Sequence, residues 1–494
     1  MRTFTVKSLI IEKPNFVRKI SVQTVIRKGI PGIKILGIPY QKANDLSIKL
    51  QTIFLSNQIP LPYENIQVNI SPSILKQYYN YLDFSIFMSI LLAFKNFDFL
   101  NPIEEIAFLG ELTLLGELEP IENLSTFLVQ GKSLHFNKFI IPKNTNNYSI
   151  DINHIKIAQI SHIKELLDQS ISFEYINKNK VNENELPKSL KIYKNLIEIL
   201  PLIAGKHSFY FIEKQPINKN EFLNLLSFFI PDILPEEKDE FLIIHESIKR
   251  RPIKIIQSNI TKKELIGDKK NLMESILYQN QFGFLLVNDF NGLKKDIILL
   301  FKTLLENQSI NYYDFILKNN FWLLFFSIPC PCGNLFNPIK NCSCNHKQII
   351  NFHKKFELYL KESIDIIYFI DNNFITLQEK TMQEIKIKIN KAILRQKEKY
   401  KDTNFNYNSE IPSHLIEKYC LFENEKTEHY WNEQTKFLSN NEKKIIRKIA
   451  QTFCDYSGNP RITEKDLQIA LKVRNPLNFF EEPKIYHHFS DPLK

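Results

Sequence analysis

Glycine is scarce in this chain: 12 of 494 residues, with none between Gly205 and Gly267. Residues 206–266 therefore lack the one residue type that adopts positive φ freely and lets a backbone approach a phosphate closely. Arginine is scarce too. There are nine among the 64 basic residues, and none between Arg251 and Arg395. That stretch offers no planar guanidinium for bidentate recognition of an anion. Long hydrophobic runs are missing. The longest, around Ile86–Phe94 and Phe321–Phe326, fall far short of the roughly 20 residues that cross a bilayer. The amino terminus, Met1-Arg-Thr-Phe-Thr-Val-Lys7, lacks the charged-then-apolar layout of a secretory signal. These absences predict a cytoplasmic protein with no membrane partner.

The rest of the composition is that of an ordinary globular protein, 44% hydrophobic and 24% charged, long enough for two to four domains. The formal net charge of +10 could indicate a nucleic-acid partner. The chain is equally rich in Ile, Asn, Phe and Tyr, however. With Lys, these are the residues that an AT-rich genome encodes most readily, so codon bias accounts for the charge.

Short alternating or apolar runs at Ile20–Val25, Ile33–Leu36, Ile66–Ile70 and Phe139–Pro142 predict strands. Leu82–Phe94 reads as a buried helix opening near Asp83, Gly110–Gly116 as a strand ending in a turn, and Ile160–Asp168 as a closing helix. Residues 1–168 thus form an α+β domain. Residues 169–189, with the run Asn177–Asn184, are a polar linker. In residues 190–375, strand-like Ser208–Ile212, Gly283–Val287 and Phe321–Phe326 alternate with helical Glu221–Phe229 and Leu293–Glu306. That order predicts a parallel α/β core. From Leu377 the pattern is helical, with Met382, Ile385, Ile389 and Ile393 on one face. Lys443–Phe453 and Glu464–Val473 are two more helices, the second capped by Thr463. Residues 376–494 form this helical domain.

Four of the six cysteines fall within fifteen residues, as Cys330-Pro-Cys332 and Cys342-Ser-Cys344. In a reducing cytosol such pairs favour metal over disulfide. Four thiolates can hold one tetrahedral Zn²⁺ if the chain doubles back at Gly333 and Asn337-Pro338. One-residue spacing makes a tighter chelate than the usual two to four, and a loop of reduced thiols is the alternative. His346 and His353 are spare nitrogen donors or surface side chains. Cys420 and Cys454 read as core.

Taken in order, the motifs resemble the competence ComM/YifB family of magnesium-chelatase-like AAA+ ATPases. Gly29-Ile-Pro-Gly32 and Leu36-Gly-Ile-Pro39 are similar to its opening, Asn69-Ile-Ser-Pro72 and Asp83 to its next segment, and Gly110-Glu-Leu-Thr-Leu-Leu-Gly116 to its following strand. Arg251-Pro252, Ile260 and Leu265-Ile-Gly267 come next, and then the cysteines. The resemblance covers nearly the whole chain. It implies a Lon-protease-like amino-terminal domain, an AAA+ core and a helical lid. It further implies a homo-oligomeric, hexameric ring, ATP with Mg²⁺ as cofactor, and DNA branch migration during recombination of incoming DNA.

The same resemblance locates the catalytic positions, and most carry other residues. Lys219 stands where the phosphate-loop lysine belongs, with Asn220 in place of Ser/Thr, and Glu213, Pro216 and Asn218 in place of glycines. The acidic pair after the second core strand becomes Asn288-Asp289; a slip of one residue makes it Asp289-Phe290, and either register leaves one carboxylate. Ile328 takes the sensor asparagine's place, Ser363 the arginine finger's, Asn441 the lid arginine's, and Gln257-Ser258 that of a histidine pair. A finger alone contributes about 10³- to 10⁵-fold in other phosphoryl-transfer enzymes. The peptidase dyad is missing as well, since Glu122–Phe127 has no lysine and Ser71, Ser73 and Ser85 have no base. Three readings follow: an impaired ATPase that still assembles or binds DNA, a weakly active ATP-binding remodeller using Lys219 and Asp289, or a structural remnant. The first is preferred, because independent losses point the same way.

Overall fold

The structure, a computed structural model, describes residues 1–13, 16–73, 81–143, 155–175, 188–245, 250–268, 272–313, 315–337 and 339–474. The polar run 177–184, Pro338 and residues 475–494 lie outside these. The chain forms two compact units, Met1–Glu183 with Leu234–Lys249, and Asn184–Ile233 with Arg250–Lys494.

The first unit is built on two sheets. Strands β1 (Arg2–Lys13) and β2 (Phe16–Arg27) form a long antiparallel hairpin, and β3 (Gly32–Leu36) and β4 (Asn65–Ser71) complete the order β1-β2-β4-β3. Helix α1 (Tyr40–Ser56) links β3 to β4. Alternate residues of β2 turn inward, so Ile20, Val22, Thr24 and Ile26 are buried on one face, while Val17, of the other parity, is buried in a second cluster. Helix α2 (Leu82–Leu92) is mostly apolar and buried at every position. Its two serines find partners in the sheet: Ser85 Oγ meets Ser8 Oγ at 2.6 Å, and Ser89 Oγ meets Thr24 Oγ1 at 2.7 Å. Ser85 is thus a packed hydroxyl rather than a nucleophile. Asp83 accepts hydrogen bonds from Lys49 Nζ at 2.8 Å and from the backbone N–H of Leu112 at 2.9 Å.

The second sheet, order β8-β7-β6-β5, comprises β5 (Ile106–Phe108), β6 (Lys138–Pro142), β7 (Lys156–Ile160) and β8 (Glu174–Tyr175). One expectation is corrected here. Ile160 ends a strand, and the closing helix is only the turn Lys164–Leu167, because Lys156–Ile160 pairs along its whole length with β6. Gly110–Gly116 contributes a two-residue strand in a short hairpin. Helix α3 (Leu124–Ser133) packs beside these strands, and Leu242, from Lys238–His245, is buried in the same cluster as Phe127, Leu128 and Phe139.

The second unit holds a five-stranded, all-parallel sheet. Its strands are β9 (Phe209–Glu213), β10 (Ile253–Ile256), β11 (Phe284–Val287), β12 (Trp322–Ser327) and β13 (Ile366–Ile370), in the order β10-β11-β12-β9-β13. Strands β9, β11 and β12 are buried residue by residue, as parallel strands covered on both faces must be. Helix α4 (Lys219–Ser227) follows β9, α5 (Lys295–Asn307) follows β11, and α6 (His346–Tyr359) precedes β13. Leu377, expected to begin the helical region, instead lies in a strand, Phe374–Gln378, paired antiparallel with Ser189–Tyr193. The longest helices beyond it are α7 (Glu379–Lys399), α8 (Asn440–Ser457) and α9 (Glu464–Arg474), with shorter ones at Ile416–Tyr419 and Glu425–Gln434. Thr463 does cap α9: its hydroxyl accepts from the Asp466 N–H, and the Asp466 carboxylate accepts from the Thr463 N–H.

A buried polar network joins α7 and α8 to the sheet. Asn408 is fully buried; it accepts from Tyr400 Oη and donates to Thr452 Oγ1 at 3.0 Å and Asp455 Oδ2 at 2.8 Å. Thr452 in turn meets His207 Nε2 at 2.8 Å, and His207 Nδ1 lies 3.4 Å from Asp365. Gly205 is required beside this contact, since a Cβ there would come within 2.4 Å of Thr452 Oγ1. Asn408→Ala leaves several buried polar groups unpaired, and is expected to lower stability by about 2–4 kcal/mol in urea denaturation.

Candidate functional site

In an open parallel sheet the ligand crevice lies at the carboxyl ends of adjacent strands whose connections leave in opposite directions. Here those strands are β9 and β12. After β9 the chain crosses to the far edge at β10, and after β12 it crosses to β13. Glu213 and Ser327 end the two strands at the crevice, with Lys219 opening α4 beside them.

The loop from Glu213 to Lys219 is internally satisfied. The Glu213 carboxylate is buried, 5% exposed, and its Oε2 accepts from the Ile217 N–H at 3.0 Å and lies 2.6 Å from Lys219 Nζ. The Lys219 ammonium also donates to the Ile217 carbonyl at 3.1 Å and sits 4.9 Å from the centre of the Phe326 ring. Asn218 is the N-cap of α4. Its Oδ1 accepts from the N–H groups of Asn220 at 3.1 Å and Glu221 at 3.2 Å. A phosphate held here would need the lysine and these amides. A carboxylate and a side-chain amide already hold them. The residues present do not fit a polyphosphate.

Asp289 lies at the end of β11 in left-handed conformation, φ 59°, and accepts from Ser258 Oγ at 3.2 Å. Asn288 donates to Gln257 Oε1 at 3.0 Å. The positions that the resemblance assigned to a histidine pair and an acidic pair thus bond to each other. Among the described residues, no hydrogen bond or ion pair joins Asp289 to Lys219. Asn220 uses its backbone N–H in the Asn218 cap.

Ser363 and Asn441, the two expected arginine positions, come together. They line one pocket of about 310 Å³, with Lys206, Lys444 and Lys448 in the same wall. Ser363 Oγ donates to Glu306 Oε1 at 2.8 Å, and Asn441 Nδ2 to Glu362 Oε2 at 3.3 Å. Each therefore presents a neutral donor already engaged by a glutamate. Arg251 supplies no finger either: it is buried, donating to the carbonyls of Pro231, Asp232 and Phe282.

The four cysteines converge. Their sulfurs lie within 4.8 Å of one another, with Cys330–Cys332 at 3.4 Å, Cys330–Cys342 at 3.7 Å and Cys332–Cys342 at 3.6 Å. Tetrahedral Zn²⁺ with Zn–S near 2.3 Å sets sulfurs about 3.8 Å apart, so this set fits the ion. The convergence comes from local turns. Gly333, at φ 74°, returns its N–H to the Cys330 carbonyl at 2.9 Å, and Asn337 Oδ1 accepts from the N–H groups of Ile339 and Lys340. A capping box between Asn345 and Gln348 then fixes the start of α6 two residues after Cys344. Burial pushes the Cys330 and Cys342 thiols up. Burial opposes ionisation of Cys332 too, but backbone hydrogen bonds at Asn334 and Ser343 and the neighbouring thiols bring it down to about 5.

His353 is not the surface side chain expected. It is buried, 1% exposed, with Nε2 2.9 Å from the Pro329 carbonyl, and so braces the loop that carries Cys330. Two features escaped the sequence reading. The Asn218 cap was legible as Asn218-Lys-Asn-Glu221, a helix-start pattern. The closing of Glu213 onto Lys219 needed the loop's path. Burial holds His353 down to about 4, against an unfolded value near 6.5. Between those values the unfolded chain binds a proton that the folded chain does not, so stability falls as pH drops from 6.5 toward 4. The loss is up to about 3 kcal/mol. In denaturation measured across this range, His353→Gln is expected to show a flatter pH dependence than wild type.

No helix of the described residues is long and apolar enough to cross a membrane. Family models match three consecutive stretches: subunit ChlI of Mg-chelatase over residues 22–145, magnesium chelatase subunit ChlI over 192–376, and magnesium chelatase subunit ChlI C-terminal over 379–474. No curated protein matches the chain.

Proposed function

Since the chain belongs to the magnesium-chelatase ChlI family of AAA+ proteins, we propose that it is a ComM/YifB-like member that has lost ATP turnover and acts by assembling, or in association with DNA. In this reading residues 1–168 are a Lon-protease-like domain without peptidase activity, 190–375 the AAA+ core and 376–494 the lid, and the chain forms a homo-oligomeric ring in the cytoplasm. The observation that carries the reading is the 2.6 Å ion pair between Glu213 and Lys219. It engages Lys219, the lysine at the position that would meet a nucleotide's phosphates. The neutral Ser363 and Asn441, and the single carboxylate Asp289 bound to Ser258, point the same way.

Mg-ATP titration and a hydrolysis assay test this. Wild type is expected to show no more binding or turnover than Lys219→Ala. Hydrolysis by wild type that is lost in Lys219→Ala would overturn the proposal in favour of a weakly active remodeller using Lys219, Asn220 and Asp289. For the DNA role, binding to branched or single-stranded DNA is expected to weaken as salt rises. No binding at low salt leaves assembly alone, or a structural remnant.

Cys330, Cys332, Cys342 and Cys344 would hold structural Zn²⁺, which supplies a crosslink between the end of β12 and the start of α6. Purified wild type is expected to carry about one zinc per chain. Cys332→Ser is expected to carry much less, and equal zinc in both would remove Cys332 from the set.

A further inference from the structure

The phosphate loop of this chain is filled rather than merely eroded. Eroded loops lose ligands and leave donors pointing at solvent. Here a carboxylate, 5% exposed, accepts from a loop N–H and from the loop lysine through one oxygen, Oε2. Those two kinds of donor, a backbone amide and a lysine ammonium, are the ones that cradle a phosphate oxygen. A buried carboxylate is tolerated only with such partners, and the donors are tolerated in a dry crevice only with an anion.

We propose that Glu213 is a built-in substitute for a phosphate group. Its carboxylate occupies an oxyanion site formed by the Ile217 N–H and the Lys219 ammonium, and removing that carboxylate opens the site to a small inorganic oxyanion. The inference rests on the reading that this loop binds no nucleotide in the wild-type protein. It adds that the loop keeps the closed form of an occupied site without any ligand. Glu213 is the last residue of β9, and Lys219 the first of α4, so the pair also ties strand to helix across the loop. The Lys219 ammonium has its remaining contacts in the Ile217 carbonyl and the Phe326 ring. Neither contact is made through the Glu213 carboxylate, so both remain available to hold the cation for an incoming anion.

The test compares full-length wild type, Glu213→Ala and Glu213→Ala with Lys219→Met, using inorganic phosphate as the probe. In phosphate-free buffer Glu213→Ala is expected to melt below wild type. Millimolar phosphate is expected to recover most of that difference, and to leave wild type and the double variant unmoved. By calorimetry Glu213→Ala is expected to bind phosphate at least ten times more tightly than wild type. An equal response of Glu213→Ala and wild type would overturn the proposal, as would a double variant that still responds. A second measurement needs no variant. In the native wild-type protein, amine acylation mapped by mass spectrometry is expected to modify Lys219 at least ten times more slowly than exposed lysines such as Lys263, with no change on adding phosphate. Rapid modification, or protection by phosphate, would overturn it. ATP turnover by wild type would sink the proposed function. A phosphate-insensitive Glu213→Ala beside an inert wild type would sink this inference alone.

Discussion

The second unit depends on a buried chain of polar contacts running from Asp365 through His207 and Thr452 to Asn408 and Asp455. The hydrogen bonds from His207 through Thr452 to Asn408 and Asp455, with His207 Nδ1 close to Asp365, favour one alignment of the helices on the sheet. Asp365 shows the strength of the arrangement. Burial alone would raise its carboxyl, yet the His207 contact and the Ser208 N–H hold it below the ordinary range. Arg474 adds a clamp from α9, donating to the carbonyls of Lys361, Ile364 and Asp365. The same alignment brings Ser363 and Asn441, nearly eighty residues apart in the chain, to one pocket.

Much of this architecture was legible because apolar runs in a parallel sheet have few other uses. Ser208–Ile212, Gly283–Val287 and Phe321–Phe326 were readable as strands for that reason, and the structure uses each. Boundaries failed where a strand and a helix share apolar spacing. Ile160 and Leu377 belong to strands because neighbouring strands offer them hydrogen-bond partners, which no local pattern reports. The described residues 234–245 fold with the first unit although they interrupt the second in sequence. Nothing in their composition marks the excursion, since the decisive contact is Leu242 entering a core assembled from residues a hundred positions away.

The two candidate sites contrast in what they demand of the chain. The cysteine centre is assembled by turns within about fifteen residues, so its spacing alone brought it into view. The loop at the end of β9 was legible only as a set of replacements. Glycine-poor composition removed the backbone freedom for phosphate binding. Glu213 at the strand end instead engages the Ile217 N–H and the Lys219 ammonium. His353 belongs with the cysteines by the same logic: it lies nine residues past Cys344, one helical face away, and reaches back to the carbonyl before Cys330.

A carboxylate fixed in the chain differs from a dissolved anion in one respect: it cannot be diluted or depleted. Four residues separate Glu213 from the amide it accepts and six from the lysine it pairs with. A tether that short gives an effective concentration of about millimolar or more. Any soluble competitor meets the loop only in the fraction of molecules where the pair has opened, and its apparent affinity falls by that fraction. On the reading proposed above, the loop would respond little to the cell's energy charge. The protein would hold one shape whether nucleotide triphosphate is abundant or exhausted.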